Sequence, residues 1–401
     1  MAPRPVWWGM DTETGQGGAI ASGGLVGRGA LLRWYLAYGT FGVPQAAGPI
    51  VFALLALPLT GDAGSGAAIV LAITLAQVVG AVPVARLGRR FNAVGFLRVL
   101  VGIRTLALGG VAVLAASGAP FWLLLVAGGL AGLVNGAAFG YLRSVLNYLV
   151  AASGMPRALG VAATLGEITF VAAPVAASVL GTVDAVLALV VLSLLGALPA
   201  VLLPAIPHAQ AKAPVEGQRS RLVRPATVVW FGATLANSAV VSSIEVGAVS
   251  LALRYGLSPA LAFVFTVALC AASVAGGVWV SVRNRAPRRG VVVVYMCVMA
   301  LGAALIAAQL PLWLTVAAAV MVGCCMAPLS TAYSLMLDGL AAAHEKAEMF
   351  ALARTMNAVG IIVTSATLSV WSLGVTQWVA VGVMVGAVGL VAVAGGSSRQ
   401  A

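Results

Sequence analysis

Long, uninterrupted runs of apolar residues constrain the fold of this 401-residue chain more than any other feature. Each run has about 20 residues or more, the length of helix that crosses the ~30 Å hydrocarbon layer of a bilayer. Membrane-spanning strands would instead alternate apolar and polar residues in segments of about ten. Only 8% of the residues are charged, whereas soluble domains have about a quarter. The sequence therefore predicts an all-α integral membrane protein.

The runs number twelve, and charged or turn-forming breaks separate them. We predict spanning helices at residues 33–59, 66–84, 95–117, 120–147, 157–181, 183–206, 226–254, 258–282, 290–309, 311–337, 347–373 and 376–396. A basic loop follows both the second and the eighth helix, which is typical of two six-helix repeats. The expected organisation is a leader (1–32), an N-terminal half (33–206), a linker (207–225), a C-terminal half (226–396) and a tail (397–401).

Basic residues predict the orientation of the chain, because loops rich in Lys and Arg stay on the cytoplasmic side. They cluster in alternate loops, at 86–90, 157, 212–224, 283–289 and 346. We therefore expect both termini in the cytoplasm, a non-cleaved leader and a location in the inner membrane. The net charge of +12 then reflects topology and contact with anionic lipid, and it requires no nucleic-acid partner.

The stretch AVPVARLGRRF (residues 81–91) resembles the loop between the second and third helices of the major facilitator superfamily (MFS). That loop usually reads Gly, three residues, Asp-Arg, any residue, Gly-Arg-Arg/Lys. Here Arg86, Gly88, Arg89 and Arg90 match, whereas Ala85 replaces the acid that helps to latch the two halves of these transporters together. The resemblance implies the MFS fold, and the missing acid predicts that a different pairing closes the protein.

The fifth predicted helix contains ATLGEITFVAAPVAAS (residues 163–178), which is similar to an efflux-permease-like branch described as drug or sugar efflux proteins. Its Ala173-Pro174 stands where drug antiporters commonly have Gly-Pro. In the fourth helix Gly132 replaces an arginine of many drug/proton antiporters, and it belongs to a ladder of glycines four residues apart. This ladder predicts either a packing groove for a neighbouring helix or a smooth cavity wall.

Glu167 lies near the predicted midplane of the fifth helix, where ionisable groups are costly and usually functional. One interpretation pairs it with Arg104 or Arg143, the buried cations of the same half. The others make Glu167 a proton carrier or a direct substrate contact. Glu245, in the seventh helix, either pairs with Arg254 or lines a cavity.

In MFS transporters helices 1, 4, 7 and 10 line a central cavity, so polar residues on these helices and on helix 11 are pathway candidates. They are Tyr38, Gln45, Asn135, Asn237, Ser238, Ser242, Ser334 and Asn357. Each could equally bridge helices or bond to its own helix. The four cysteines lie inside apolar runs without metal-ligand spacing, so no metal or cofactor is expected.

These features favour a secondary active transporter over an enzyme, because no nucleotide-binding loop and no cluster of catalytic groups is present. The expected mechanism is alternating access in a monomer, with proton-coupled efflux of a hydrophobic or amphipathic small molecule. Efflux is favoured by the resemblance and by the few fixed charges expected in the cavity. An uptake symporter or uniporter of the same fold is the alternative.

Overall fold

The computed structural model describes residues 28–60, 65–204, 206, 224–257, 263–342 and 344–396. The leader up to residue 27, most of the linker and the tail lie outside these ranges. The helices are α1 (Arg28–Phe41, continuing as Val43–Thr60), α2 (Ser65–Leu87), α3 (Ala93–Ala116), α4 (Phe121–Leu149), α5 (Met155–Gly181), α6 (Ala185–Ala197, continuing as Pro199–Leu202), α7 (Pro225–Glu245, continuing as Ala248–Arg254), α8 (Phe263–Arg283), α9 (Arg289–Ala307), α10 (Leu312–Leu340), α11 (Lys346–Val370) and α12 (Leu373–Gly396).

All twelve predicted spanning helices are confirmed near their predicted positions, and each is long and apolar enough to cross a membrane. Three of them are interrupted where the sequence was expected to form one continuous helix. Helix α1 breaks at Gly42, α6 breaks before Pro199, and α7 breaks at Val246 and Gly247. Pro199 has no N–H to donate to the preceding turn, which explains the break in α6.

Most buried side chains form cores within one or the other set of six helices. One core, around Phe265 and Met296, lies in α7–α12, and two others, around Trp34 and Phe52, lie in α1–α6, except that the core around Trp34 also includes Ala351 of α11. Large apolar side chains such as Leu106, which is 78% exposed, cover the outside of the bundle. This distribution is the one expected of a protein whose outer surface contacts lipid.

The glycine ladder of α4 is a packing groove, as one of the two sequence-based interpretations holds. A Cβ added at Gly132 would collide with the Ile73 carbonyl of α2, and one added at Gly136 would lie 2.9 Å from Ala81 Cβ. At the end of the ladder, a Cβ at Gly140 would collide with the Ala347 carbonyl of α11. The ladder therefore lets α4 approach α2 within its own half and α11 of the other half.

A second close approach joins the halves between α5 and α8. A Cβ at Gly160 would lie 2.8 Å from the Gly277 carbonyl oxygen, and a Cβ at Gly277 would lie 3.1 Å from the Gly160 carbonyl oxygen. Neighbouring backbones can come this close only where both helices have small residues. The close contacts α4–α11 and α5–α8 thus determine the positions of the side chains that lie between the two halves.

Candidate functional site

The signature loop that follows α2 is tied to the opposite half by a buried carboxylate. Arg86 Nε lies 3.0 Å from Glu348 Oε2, and Arg89 also forms an ion pair with Glu348, whose side chain is 0% exposed. Glu348 lies in the first turn of α11. Gly88 leaves room for the Phe96 and Tyr141 rings, whereas Arg90 is exposed. Position 85 has alanine where the family usually has an acid, and Glu348 of α11 pairs with the loop arginines instead. The expectation that a different pairing closes the protein is thus met by this contact.

Two further sets of contacts close the same end of the bundle. Asn147 of α4 donates to Asp338 of α10 over 2.7 Å, and the second oxygen of Asp338 accepts from Lys346 at 3.0 Å. At the start of α5, the backbone N–H of Arg157 donates to the Asn284 side chain at 2.9 Å. The ends of α2, α4 and α5 near the basic loops are therefore joined to the C-terminal half. We call these contacts, together with the Arg86–Arg89–Glu348 cluster, the basic-end closure.

A cavity of about 180 Å³ lies between the halves, just deeper than this closure. Five of the sequence-predicted candidates line it: Tyr38, Arg143, Asn237, Ser334 and Asn357. They come from α1, α4, α7, α10 and α11, so the structure brings together residues up to 319 positions apart, from Tyr38 to Asn357.

Arg354 and Tyr333 are among the cavity residues that were not candidates. Arg354 lies eight residues into α11, after Lys346, close enough to the end of the run to pass for an interfacial anchor. A usable signal was present, however: Phe350 and Arg354 repeat the spacing of Phe139 and Arg143 on α4. The expectation of few fixed charges in the cavity is therefore wrong.

A hydrogen-bonded network of polar side chains fills the interior of the N-terminal half beside the cavity. Asn135 donates to Gln77 over 2.6 Å and, more weakly, to Gln45 over 3.4 Å. Arg104 donates to the Asn135 side chain at 3.0 Å, and Arg354 of α11 donates to Gln45 at 2.5 Å. Gln45 and Asn135 therefore do not line the cavity. They connect Arg354, in the cavity wall, to Gln77 and Arg104 inside the N-terminal half.

Arg104 braces its own half instead of pairing with Glu167. Its guanidinium donates to the carbonyl oxygens of Phe41 at 3.1 Å and Gly196 at 2.5 Å, and it stacks 4.2 Å from the centre of the Phe41 ring. These contacts join α3 to α1 and α6. The interpretation that makes Arg104 the counter-ion of Glu167 is wrong, because the helical periodicity placed the two at similar depths without fixing which faces they share.

Glu167 instead faces the other half of the protein. Its Oε1 accepts a hydrogen bond from Ser273 Oγ of α8 at 3.0 Å, and the Cys270 thiol also lies within hydrogen-bonding reach. No ion pair joins Glu167 to Arg143, whose Nε and Nη1 donate to Ser334 and Asn147. Within the described ranges Glu167 thus has neutral hydrogen-bond partners only, and the interpretation that pairs it with Arg143 is wrong as well.

The remaining candidates lie on α7. Ser238 donates to the Asn357 carbonyl of α11 at 2.7 Å, which is a helix-to-helix contact, and Ser242 is buried. Glu245 is exposed at the end of the main part of α7, where it forms no salt bridge with Arg254. The pairing considered for Glu245 is not found, and its side chain does not line the cavity.

In chemical terms, the site is a small cavity with aromatic walls, two guanidinium groups and several hydroxyl and amide groups. Among the described residues no group of three or more His, Cys, Asp or Glu side chains could hold a metal ion. The site can bind and orient a small solute, and its walls belong to both halves. Relative movement of the halves would therefore change the site itself.

Comparison with known proteins agrees with this architecture. A bacterial homologue of the iron transporter ferroportin, in an outward-facing state, is similar over 90% of this chain and 98% of its own, with a TM-score of 0.78 and 13% identity. The human organic anion transporter MFSD10 is similar over 91% of this chain and 99% of its own (TM-score 0.71, 12% identity). The Escherichia coli fucose:proton symporter FucP covers 91% of this chain and 98% of its own (TM-score 0.67, 14% identity). No curated protein sequence matches significantly.

At these identities the structural likeness establishes the fold, and the sequence itself establishes the family. The family model for the Major Facilitator Superfamily matches residues 34–365, which is most of the chain and includes parts of both six-helix halves. The chain therefore belongs to the Major Facilitator Superfamily and is a multi-pass membrane transporter.

Proposed function

We propose that this transporter exports an amphipathic small molecule across the inner membrane by alternating access, in exchange for protons. Two features support alternating access. The cavity is built from both halves, and one end of the bundle is closed by the cluster of Arg86, Arg89 and Glu348. Transporters of this kind work by rocking one half against the other around a central site.

The basic loops give the proposed orientation. Because Lys- and Arg-rich loops remain cytoplasmic, the basic-end closure would face the cytoplasm, and both termini would lie there too. The conformation described would then be closed to the cytoplasm. The ferroportin homologue to which the chain is similar was crystallised in an outward-facing state, which is consistent with this orientation. We further propose a monomer whose basic loops contact anionic lipid.

The position and the partners of Glu167 are the observation that supports proton coupling. It lies 12 residues beyond Met155, about 18 Å along α5, and Ser273 lies ten residues before the end of α8, about 15 Å from that end. This carboxyl is therefore near mid-membrane and at the contact between the halves. Its partners are a hydroxyl and a thiol, so it can be neutral or ionised without breaking an ion pair. Separation of α5 from α8 would change its surroundings.

A Glu167→Gln variant tests the coupling. In proteoliposomes loaded with a panel of labelled neutral, cationic and anionic amphipaths, wild-type flux should follow an imposed pH gradient. The variant should lose this dependence but retain exchange of labelled for unlabelled compound, which needs no proton. Asp184→Asn is the matched control, because Asp184 is exposed beyond the end of α5 and outside the cavity. Unchanged pH-driven flux in Glu167→Gln would exclude Glu167 as the proton carrier.

An uptake symporter or uniporter is the alternative, and one of the similar structures is a fucose:proton symporter. The same arrangement of Glu167 would serve symport, so the fold does not choose the direction. The same vesicles separate the possibilities. An inwardly directed proton gradient drives a solute out through an antiporter and in through a symporter, whereas it leaves a uniporter for a neutral solute unaffected.

A further inference from the structure

Helices α4 and α11 each contain the sequence Phe-x-x-x-Arg. The arginine of each helix packs against the phenylalanine of the other. Arg143 of α4 lies 4.4 Å from the centre of the Phe350 ring of α11, and Arg354 of α11 lies 5.0 Å from the centre of the Phe139 ring of α4. The stacking is reciprocal, so each half supplies one cation and one ring to the other. Both guanidinium groups and both rings line the cavity.

Among the described residues, neither of these two arginines forms an ion pair with an acid. Arg143 donates to the side chains of Ser334 and Asn147, and Arg354 donates to Gln45. Within the part of the chain that the structure describes, no Asp or Glu lines the cavity. The carboxylate of Asp338 is already bound by Asn147 and Lys346. Buried charges in a membrane protein are normally paired, so this cavity has an excess positive charge.

Several polar atoms of the cavity wall also have no hydrogen-bond partner. They are Arg143 Nη2, Thr331 Oγ1, Tyr333 Oη and Asn237 Oδ1, and of these residues Arg143, Thr331 and Tyr333 are 3%, 2% and 3% exposed. Buried polar groups in folded proteins nearly always have partners. Arg143 Nη2 can only donate and the two hydroxyl groups can donate or accept, so one acceptor group would suit all three, whereas Asn237 Oδ1 needs a donor. Bracing of α4 against α11 explains the stacking, but it does not explain the unused donors.

We infer that the cavity binds a small aromatic carboxylate, whose oxyanion is held by Arg143 and Arg354 and whose ring lies between Phe139 and Phe350. This inference rests on the proposed transport function and names its substrate class. Arginine binds carboxylates well because its planar fork matches their two oxygens. The volume of about 180 Å³ suits one ring, since a cavity of roughly 150 Å³ holds benzene. A cell interior that is electrically negative also drives an anion outward, in the proposed direction.

Equilibrium binding to the purified full-length protein in lipid nanodiscs tests the inference with three probes of nearly equal shape. Radiolabelled benzoate carries the negative charge, benzamide is neutral and benzylamine is positive. Benzoate should bind saturably and at least tenfold more tightly than benzamide, and benzylamine should not compete. Chloride should displace benzoate only weakly. Equal binding of benzoate and benzamide, equal potency of chloride and benzoate, or no benzoate binding would each overturn the inference.

Substitution of the two arginines distinguishes a role in anion binding from a purely structural role in holding α4 against α11. Arg143→Gln and Arg354→Gln should each weaken benzoate binding about 10- to 100-fold, the usual effect of losing a charged hydrogen bond. Benzamide binding should stay within about threefold, and lysine at either position should restore part of the preference for benzoate. Arg98→Gln is the matched control, because Arg98 is exposed on α3 and donates to the Leu203 carbonyl, away from the cavity.

The unfolding midpoint of each variant shows whether it is folded, and the comparison of benzoate with benzamide within one variant is independent of its stability. Equal weakening of both probes would refute the inference and indicate a bracing role. The test also distinguishes the inference from the proposed function. Benzoate binding without flux of any compound would refute transport, whereas flux of neutral amphipaths without benzoate binding would refute the anion site alone.

Discussion

Replacement of Glu348 by glutamine should loosen the basic-end closure, because this one carboxylate holds two arginines of the other half. The Glu348 side chain is 0% exposed, while those of Arg86 and Arg89 are 54% and 18% exposed. Water screens the Arg86 contact, so its contribution is small. Most of the stabilisation should therefore come from the more buried pair with Arg89.

The magnitude follows from this difference in burial. Removing one partner of a buried ion pair costs about 3–5 kcal/mol, whereas an exposed pair contributes about 0.2–1 kcal/mol. Glutamine keeps an oxygen that can accept a hydrogen bond, which recovers roughly 1 kcal/mol. The closed conformation should thus lose about 2–4 kcal/mol relative to the open one. At about 1.4 kcal/mol per factor of ten, the open population rises roughly 30- to 700-fold.

Hydrogen–deuterium exchange of the protein in nanodiscs measures this opening directly. Peptides that cover residues 88–96 and 344–350 should exchange faster in Glu348→Gln, whereas peptides from the far end of α9 should not change. Glu345→Gln is the matched control. Glu345 is also buried and lies one turn away, but the basic side chain that it contacts is His344 of the same segment, at 3.8 Å, which is charged only when protonated.

Exchange of both peptides within about threefold of the wild-type rate would refute the assignment of the closure to Glu348, since the smallest expected change is roughly 30-fold. Equal loosening by Glu345→Gln would show that any lost charge in this turn has the same effect. In that case the contacts of Arg86 and Arg89 would not be the ones that hold the halves together.

Two further substitutions test the packing around the site. Gly132→Ala should lower the unfolding midpoint by several degrees, because the new Cβ would collide with the α2 backbone and overpacking costs about 1–3 kcal/mol. Gly129→Ala is the control and should change the midpoint little, because a Cβ has more room there. Arg104→Gln should also lower the midpoint, because it leaves the Phe41 and Gly196 carbonyl oxygens unpaired at about 1–3 kcal/mol each. Its preference for benzoate over benzamide should stay at the wild-type value, and a changed preference would place Arg104 in the binding site.

The spanning helices could be predicted because length and apolarity along the chain are enough to define them. The breaks at Gly42 and Val246 could not, since each depends on how its helix packs. Among the polar residues, Tyr38 and Asn237 were found because a polar side chain inside an apolar run stands out. Arg354 was missed because it lies near the end of its run, and its partner Gln45 is 309 positions away.

The error over Glu167 has a different cause. Sequence spacing gives the depth of a residue in the membrane but not the direction in which its helix faces a neighbour. Depth made Arg104 a plausible partner, whereas the packing of α5 against α8 turned Glu167 towards Ser273. The glycines at 160 and 277, which permit that packing, are common residues in a chain with 48 glycines, so their pairing gave no signal on its own.

The closure and the cavity depend on the same helix. Glu348, Phe350 and Arg354 occupy the first three turns of α11, so movement of this segment away from α4 breaks the ion pairs and both cation–π stacks together. In the closed arrangement two like charges are held on facing helices with no acid between them, and an anion between them would relieve their repulsion. A bound carboxylate would therefore stabilise the closed state until it leaves. A membrane potential of 100 mV, negative inside, adds about 2.3 kcal/mol per charge to the driving force for outward movement of the anion. Recognition of the anion, closure of the basic end and direction of transport would then follow from one set of contacts between α4 and α11.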